Sequence, residues 1–160
     1  MPRRKSVNII RDVGVDARYG QENIQKFINV IMWRGKKNTA RRIVYGAFDI
    51  IAKKFANNHD NAIEVFNKAL KNCIPAVEVR ARRVGGSVYQ VPVEVKEHRG
   101  RALAFRALIA ASKERKGEDF SVKLAYELIE ASEGKGGSVK IKMEKHRMAD
   151  ANRAFAHYVW

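Results

Sequence analysis

Lysine and arginine are the side chains with the clearest chemical use in this sequence. The chain has 32 of them against 17 acidic residues, which gives a net charge of +15 at pH 7. The charge is regional: residues 1–54 carry +9, residues 75–101 and 133–160 carry +3 each, and the intervening segments are neutral. Clustered cations can neutralise the phosphates of a polyanion, although a solvated helix face is the alternative for any single lysine. The whole distribution favours a polyanionic partner.

Residues that support catalysis or bind metals do not fall into known arrangements here. Ser87 and Ser138 lack a G-x-S-x-G context, and no carboxylate pair stands out as an acid/base couple. The histidines show neither an H-E-x-x-H motif nor paired Cys/His spacing; they are His59, His98, His146 and His157. We therefore expect no enzymatic activity, no metal and no cofactor.

Two glycine-rich turns and two aromatic stretches are weaker candidates for binding. Gly35-Lys36 and the sequence GKGGS at 134–138 match no nucleotide-binding loop. A glycine-rich turn before a helix can still hold a phosphate through backbone N–H groups. Aromatic residues beside basic ones, in Trp33-Arg34 and in RAFAHYVW at 153–160, could stack on bases. Core packing is the more frequent role for a residue such as Phe155.

The length, the cysteine content and the hydropathy favour a single soluble domain. A chain of 160 residues buries about 70% of its unfolded surface. The one cysteine, Cys73, lies in the apolar stretch ALKNCIP, which is typical of a small buried hydrophobe. The stretch after MPRRK is too short for a secretory signal, and no run of 18 apolar residues follows. We predict one domain over residues 1–160 with a basic tail at 1–18, neither exported nor membrane-inserted.

Apolar residues recur at helical spacing through most of the chain. The i, i+3, i+4, i+7 pattern predicts a first helix in QENIQKFINVIMWRG, with Gly35 as its stop. A second helix follows the basic turn GKKN and ends near Phe55, and a third ends before Pro75. Further helices are predicted at 103–112, which is apolar almost all round, at 120–131, and at 138–155 as one or two helices.

Residues 77–95, VEVRARRVGGSVYQVPVEV, alternate apolar and polar positions and predict a β-hairpin. Pairing the odd, apolar positions of both strands requires a loop of odd length, for which Val84-Gly85-Gly86 is suitable. A two-residue loop of the glycines alone would instead pair arginines with valines. Because a lone two-stranded ribbon is marginal in water, its apolar root should pack on helices. Arg82 and Arg83 near the tip should stay outside.

Several motifs closely resemble the bacterial small-subunit ribosomal protein seven family. They are RRVGGSVYQVPVEV at 82–95 and HRMADANRAFAHYVW at 146–160, with MPRR, FINVIMWRGKKNTARRIVYGA, RALA and ELIEASEGKGG in order. The resemblance implies six helices with a hairpin at about 76–95 between the third and fourth. It also implies binding to the three-prime major domain of small-subunit ribosomal RNA early in assembly, organisation of the subunit head, and location in the cytoplasmic ribosome.

The resemblance further implies that the hairpin lies near the exit tRNA site and the mRNA path, with ribosomal protein eleven as a neighbour. It places RNA-binding residues in the N-terminal tail, the α-helical body, the hairpin and the last third of the chain. They are Arg3, Arg4, Lys5, Lys36, Lys37, Arg41, Arg42, Arg80, Arg82, Arg83, Lys113, Arg115, Lys116, Lys140, Lys142, Arg147 and Arg153.

Two other classes of function fit the charge. A basic architectural or regulatory DNA-binding protein would use the same cations and could insert the hairpin into a groove. A basic scaffold for an acidic protein or an anionic membrane is the third class, but no helix shows lysines opposite a tryptophan-rich face. The RNA-binding interpretation is the one that the motifs favour.

Overall fold

The computed structural model describes residues 12–55, 59–117 and 119–158. This part of the chain is mostly helical and has an antiparallel hairpin between the third and fourth helices, as predicted. The elements are α1 Glu22–Ile31, α2 Lys37–Lys54, α3 His59–Cys73, β1 Val77–Val84, β2 Ser87–Glu94, α4 Glu97–Glu114, α5 Phe120–Ser132, α6 Gly137–Ala151 and a 3₁₀ helix at Arg153–Tyr158. No helix in these ranges combines the length and apolar composition that a membrane crossing needs.

Four phenylalanines join the first four helices into one core. The ring of Phe27 on α1 lies 5.3 Å from those of Phe66 on α3 and Phe105 on α4, and Phe48 on α2 lies 5.5 Å from Phe66. Each of these side chains is at least nine-tenths buried, and each contributes about 1.5–3 kcal/mol of hydrophobic stabilisation. Helix α5 packs against α2, α3 and α4 and buries Leu128 completely.

Helix α1 ends earlier than the stop that Gly35 suggested. Its last turn closes where the N–H of Met32 donates to the carbonyl of Ile28 at 3.0 Å, and the ψ of 133° at Met32 takes the backbone out of the helix. Gly35, with φ of 75°, belongs instead to the turn that leads into α2. This turn brings several basic side chains close together in sequence.

Cys73 has the buried, apolar surroundings that the sequence predicted. It is buried in the core, and burial raises the pKa of its thiol above the ordinary value. A neutral, enclosed thiol is a small hydrophobic side chain and not a nucleophile.

The predicted register of the hairpin is wrong. The loop has two residues, Gly85 and Gly86, and the strands pair Arg82 with Tyr89 and Arg80 with Val91. Both glycines have positive φ, 56° and 91°, which fits the two-residue turn whose twist matches that of the flanking strands. A three-residue loop would need only one residue with positive φ. The arginines of β1 therefore share a face with apolar residues of β2.

The face that carries these arginines is the one that packs against the body. Val91 is completely buried, and the Tyr89 ring lies 5.2 Å from the rings of Phe155 and Tyr158 in the 3₁₀ helix. Strand β1 contacts α6. The hairpin is thus attached to the helices, as its marginal independent stability requires, and Phe155 has the packing role that the sequence favoured.

A buried ion pair fixes the base of the hairpin. Glu78 is 6% exposed, and its Oε1 accepts hydrogen bonds from Arg99 Nε at 2.6 Å and Arg80 Nε at 2.7 Å. The bond from Arg99, with the bond from Arg80 and the two positive charges, lowers the pKa of the Glu78 carboxyl below its ordinary value. Strand β1 is therefore linked electrostatically to the first turn of α4.

Candidate nucleic-acid interface

The strongest concentration of cations lies where α1 turns into α2. We call Arg34, Lys36, Lys37, Arg41 and Arg42 the α2 patch. Arg34, Lys36 and Arg42 are exposed, while Lys37 and Arg41 are half-buried. No acidic residue occurs between positions 22 and 49 to compensate them locally. The patch brings the predicted residues of this region together.

The patch is placed at the end of α2 that repels cations. Helix α2 begins at Lys37 with Lys36 at its N-cap position, no side chain caps it, and its first turn contains no acidic residue. The positive end of the helix dipole favours anions there, and each misplaced charge costs about 0.3–1 kcal/mol. Nε of Arg41 is buried and has no acceptor among the described residues. An anion from outside the chain would therefore be favoured at the start of α2.

The turn holds one arginine in an unfavourable backbone conformation. Arg34 has φ of 51°, the only positive value at a non-glycine residue in the described ranges. For an L-residue this left-handed conformation costs about 1–2 kcal/mol. Such strain collects at functional sites, where surrounding structure maintains it. Arg34 was not among the residues predicted from the sequence, because a positive φ leaves no sequence pattern beyond the neighbouring glycine.

Replacing Arg34 with glycine is expected to stabilise the protein while removing a charge. Relief of the backbone strain should raise the free energy of unfolding by about 1 kcal/mol, and the melting temperature by about 2–4 °C. Arg42→Gly is the matched control, because it removes the same charge from a helix interior, where glycine costs about 1 kcal/mol. Thermal unfolding followed by circular dichroism should show shifts of opposite sign. Equal destabilisation by both substitutions would show that the backbone at Arg34 is not strained.

The hairpin presents arginines on both of its faces. Arg82, half-buried, shares the face of Tyr89, whereas Arg83 is exposed and pairs with Val88 on the opposite face. Arg80 is exposed but lies 2.6 Å from the carboxylate of Glu78 through its Nη2 atom. The tip therefore carries Arg82 and Arg83, the hairpin arginines that form no ion pair with another described residue.

The predicted residues of the last third of the chain divide into two groups. One group is exposed and has no ion pair within the described residues: Lys113, Lys116, Lys140 and Arg153. The other has partners inside the chain. Arg147 pairs with Glu144 at 2.8 Å, and Lys142 donates to the carbonyl of Asn72 at 2.9 Å. Arg3, Arg4 and Lys5 lie outside the described residues.

Arg115 belongs to the second group and joins the end of α4 to α5. It follows α4 directly, and its guanidinium bonds the carboxylate of Glu127 through Nε and Nη2 at 2.9 and 2.6 Å. It also bonds Glu130 on α5. Glu127 is only 1% exposed. These bonds, that to Glu130 first, raise the pKa of Arg115 above its ordinary value.

The glycine-rich turn before α6 is occupied by a carboxylate of this chain. Oε1 of Glu127 accepts the N–H of Ser138 at 2.8 Å and its hydroxyl at 2.7 Å. A Cβ on Gly136, whose φ is 92°, would lie 2.9 Å from the same oxygen. The amide that the sequence offered to a phosphate therefore binds Glu127. The turn 134–138 has a structural role, which leaves the α2 turn as the stronger phosphate candidate.

The described residues contain no group of three or more His, Cys, Asp or Glu side chains arranged to hold a metal ion. The chemistry of the site is thus that of exposed cations on a helical body and a β-arm. It can neutralise phosphates at several separate points.

Comparison with known proteins agrees with this chemistry. The profile of the family described as "Ribosomal protein S7p/S5e" matches residues 2–153. "Small ribosomal subunit protein uS7" of Stenotrophomonas maltophilia (strain K279a) is 53% identical over 157 residues, covering 98% of this chain and 99% of the relative. Proteins of the same name from Xylella fastidiosa (strain M12) and Xanthomonas axonopodis pv. citri (strain 306) are each 52% identical, with the same coverage. The resemblance seen in the motifs is confirmed, and this chain belongs to the S7p/S5e family, the uS7 proteins of the small ribosomal subunit, which are structural and non-enzymatic components of the ribosome.

Proposed function

We propose that this protein binds the three-prime major domain of small-subunit ribosomal RNA early in assembly and organises the head of the subunit in the cytoplasmic ribosome. The α2 patch is the observation that carries the proposal. Its cations stand at the positive end of a helix, without acidic residues in the first turn, and an RNA phosphate would supply the missing negative charge.

The proposed contacts comprise the predicted cations that have no partner among the described residues, in the α2 patch and beyond it. The exposed set is Lys36, Arg42, Arg83, Lys113, Lys116, Lys140 and Arg153, with the half-buried Lys37, Arg41 and Arg82 beside it. Arg3, Arg4 and Lys5 are included on the family resemblance. Arg80, Arg115, Lys142 and Arg147 have intramolecular partners, so each must exchange or share a partner to bind RNA.

The mechanism is neutralisation of phosphates at an RNA junction with release of condensed counterions. Affinity should therefore fall steeply with salt; for duplex DNA, 6–10 phosphate contacts lose roughly 10³–10⁵-fold between about 50 and 200 mM. The A-form major groove is too narrow for side chains to read, so selectivity should come from RNA shape and from 2′-hydroxyl groups. Contacts at separate points of the body and the arm would hold several RNA helices in one arrangement.

The test is binding of the purified protein to the isolated three-prime domain of small-subunit ribosomal RNA at physiological salt. Excess transfer RNA and duplex DNA serve as competitors. We expect saturable one-to-one binding that survives both. If excess duplex DNA abolished binding to the ribosomal RNA, the architectural DNA-binding function would be favoured instead. If excess transfer RNA abolished it, selectivity for the ribosomal site would be refuted.

We further propose that the hairpin tip lies near the exit tRNA site and the mRNA path, with ribosomal protein eleven as a neighbour. The family resemblance supports this placement, and the accessible Arg82 and Arg83 suit it. Crosslinking from Ser87→Cys and Val88→Cys, two exposed positions beside the turn, in assembled subunits would test it, with tRNA, mRNA and protein eleven as the expected targets.

Replacing Arg82 and Arg83 with alanine should reduce the rate of translation and leave the stability of the fold almost unchanged. Arg83 is exposed and Arg82 is half-buried, and neither forms an ion pair with another described residue, so their loss should cost no more than about 1 kcal/mol of stability and lower the melting temperature by no more than about 2–4 °C. Lys53→Ala with Lys54→Ala is the control for the loss of two positive charges. Ribosomes carrying each variant would be compared for particle assembly and peptide synthesis. Unchanged particles with unchanged synthesis would show that the tip is dispensable.

A further inference from the structure

The turn that begins the α2 patch exposes a tryptophan. Trp33 is 72% exposed, more than any other large hydrophobic residue in the described ranges. Tryptophan buries more apolar surface than other side chains, so leaving it in water forgoes stability that packing would provide. The position is therefore unusual for a residue that serves the fold alone.

The backbone of Trp33 is held by the turn. Its carbonyl accepts the N–H of Lys36 at 3.1 Å, and Arg34 and Gly35 between them both have positive φ. Consecutive left-handed residues closed by a hydrogen bond leave the chain little freedom at this point. The indole is thus presented from a defined position.

The surroundings of Trp33 select a partner that is both planar and anionic. Trp33 and Lys36 border one shallow depression, whose wall is completed by Ile31, Thr39 and Ile43. Arg34 adjoins the indole in sequence, and no acidic residue occurs at positions 23–48. A second copy of this chain would bring the same positive charge and be repelled. A nucleotide combines a flat face for the indole with a phosphate for the adjacent cations.

We propose that Trp33 is a stacking platform for one unpaired base of the bound RNA, with the phosphate of that nucleotide held by Arg34 or Lys36. The proposal rests on the RNA-binding function proposed above and adds a base contact to its phosphate contacts. Because every base has a planar face, the platform tolerates any base but requires that it be unpaired.

The test compares Trp33→Phe, Trp33→Leu and Trp33→Ala in binding to the three-prime ribosomal RNA domain over a range of salt. Leucine is apolar but not flat, so it cannot stack on a base. The Trp33→Leu and Trp33→Ala variants should therefore both bind the RNA about 10-fold or more weakly, the loss typical of one stacked base. Phenylalanine should retain most of the affinity. None should change the slope of log Kd against log salt, because no charge is removed. Val30→Ala, an exposed apolar residue on α1, is the control and should bind as the wild type does.

Fluorescence provides a readout that does not depend on the variants. Trp160 is the one other tryptophan, so in a Trp160→Phe background the indole emission reports Trp33 alone. Quenching on titration with the RNA is expected. Stacking is refuted if the Trp33→Leu and Trp33→Ala variants bind the RNA as tightly as the wild type and the emission of Trp33 does not change on binding. If emission responds to a poly-glutamate probe and not to RNA, Trp33 contacts an acidic protein instead. If the wild type does not bind the RNA, the proposed function and the platform fail together.

Discussion

Replacing Glu127 with alanine is expected to lower the free energy of unfolding by about 3 kcal/mol, because it leaves buried partners without their carboxylate. Glu127 is 1% exposed and accepts hydrogen bonds from Arg115 and from both the N–H and the hydroxyl of Ser138. Without it, the Ser138 amide has no acceptor and a cavity opens at the junction of α4, α5 and α6. Chemical denaturation would measure the loss.

Glu130→Ala is the matched control for this prediction. Glu130 bonds the same guanidinium from the same helix, but its side chain is 44% exposed, and ion pairs in water contribute about 0–1 kcal/mol. Glu127→Gln should fall between the two, since an amide oxygen can still accept from Ser138 while the charge is lost. Equal losses for the two alanine variants would show that burial of Glu127 does not stabilise the junction.

The double substitution Lys36→Ala with Lys37→Ala is expected to weaken RNA binding by roughly 10-fold at physiological salt and to reduce the salt slope by about 1–2. It should not destabilise the protein. Removing cations from the positive end of α2 relieves an unfavourable interaction of about 0.3–1 kcal/mol per charge, so stability should rise slightly. Filter binding at several salt concentrations and thermal unfolding would measure the two effects.

Helix α2 supplies its own control, because Lys53 and Lys54 lie in its last turn. Replacing both with alanine removes the same charge from the same helix. These two lysines interact favourably with the negative end of the dipole, so stability should fall slightly and RNA binding should change much less. If both pairs weakened binding equally, net charge and not the α2 patch would determine affinity.

Much of the fold could be predicted because helices and hairpins have local signatures. The spacing of Ile24, Phe27, Ile28 and Ile31 marks α1, and the alternation at 77–95 marks the hairpin. The register could not be derived, because it depends on whether one or both of Gly85 and Gly86 adopt positive φ. A change of one residue in the loop then moves every side chain of one strand to the other face.

The sequence predicted the candidate site only as a set of basic residues and could not show which of them pair with acids inside the chain. Lys113, Arg115 and Lys116 look alike in sequence, yet only Arg115 has a buried acid within reach. That acid, Glu127, lies in an otherwise ordinary helix, and its partners Arg115 and Ser138 are 12 and 11 residues away in sequence, too far for a local pattern to reveal the contact. Pairings of this kind depend on tertiary structure, so the sequence could not show that Arg115, one of the residues predicted to bind RNA, also pairs with Glu127.

The contact between the hairpin and the 3₁₀ helix also has a consequence for biosynthesis. Tyr89 is translated well before Phe155 and Tyr158, the rings on which it packs. During elongation the hairpin can therefore form its turn and ladder but cannot yet settle against its final support. A released chain that ends at Asn152 should have a formed helical core and an arm that limited proteolysis cuts readily. The full-length chain, with Phe155 and Tyr158 packed on Tyr89, should be cut more slowly in the arm.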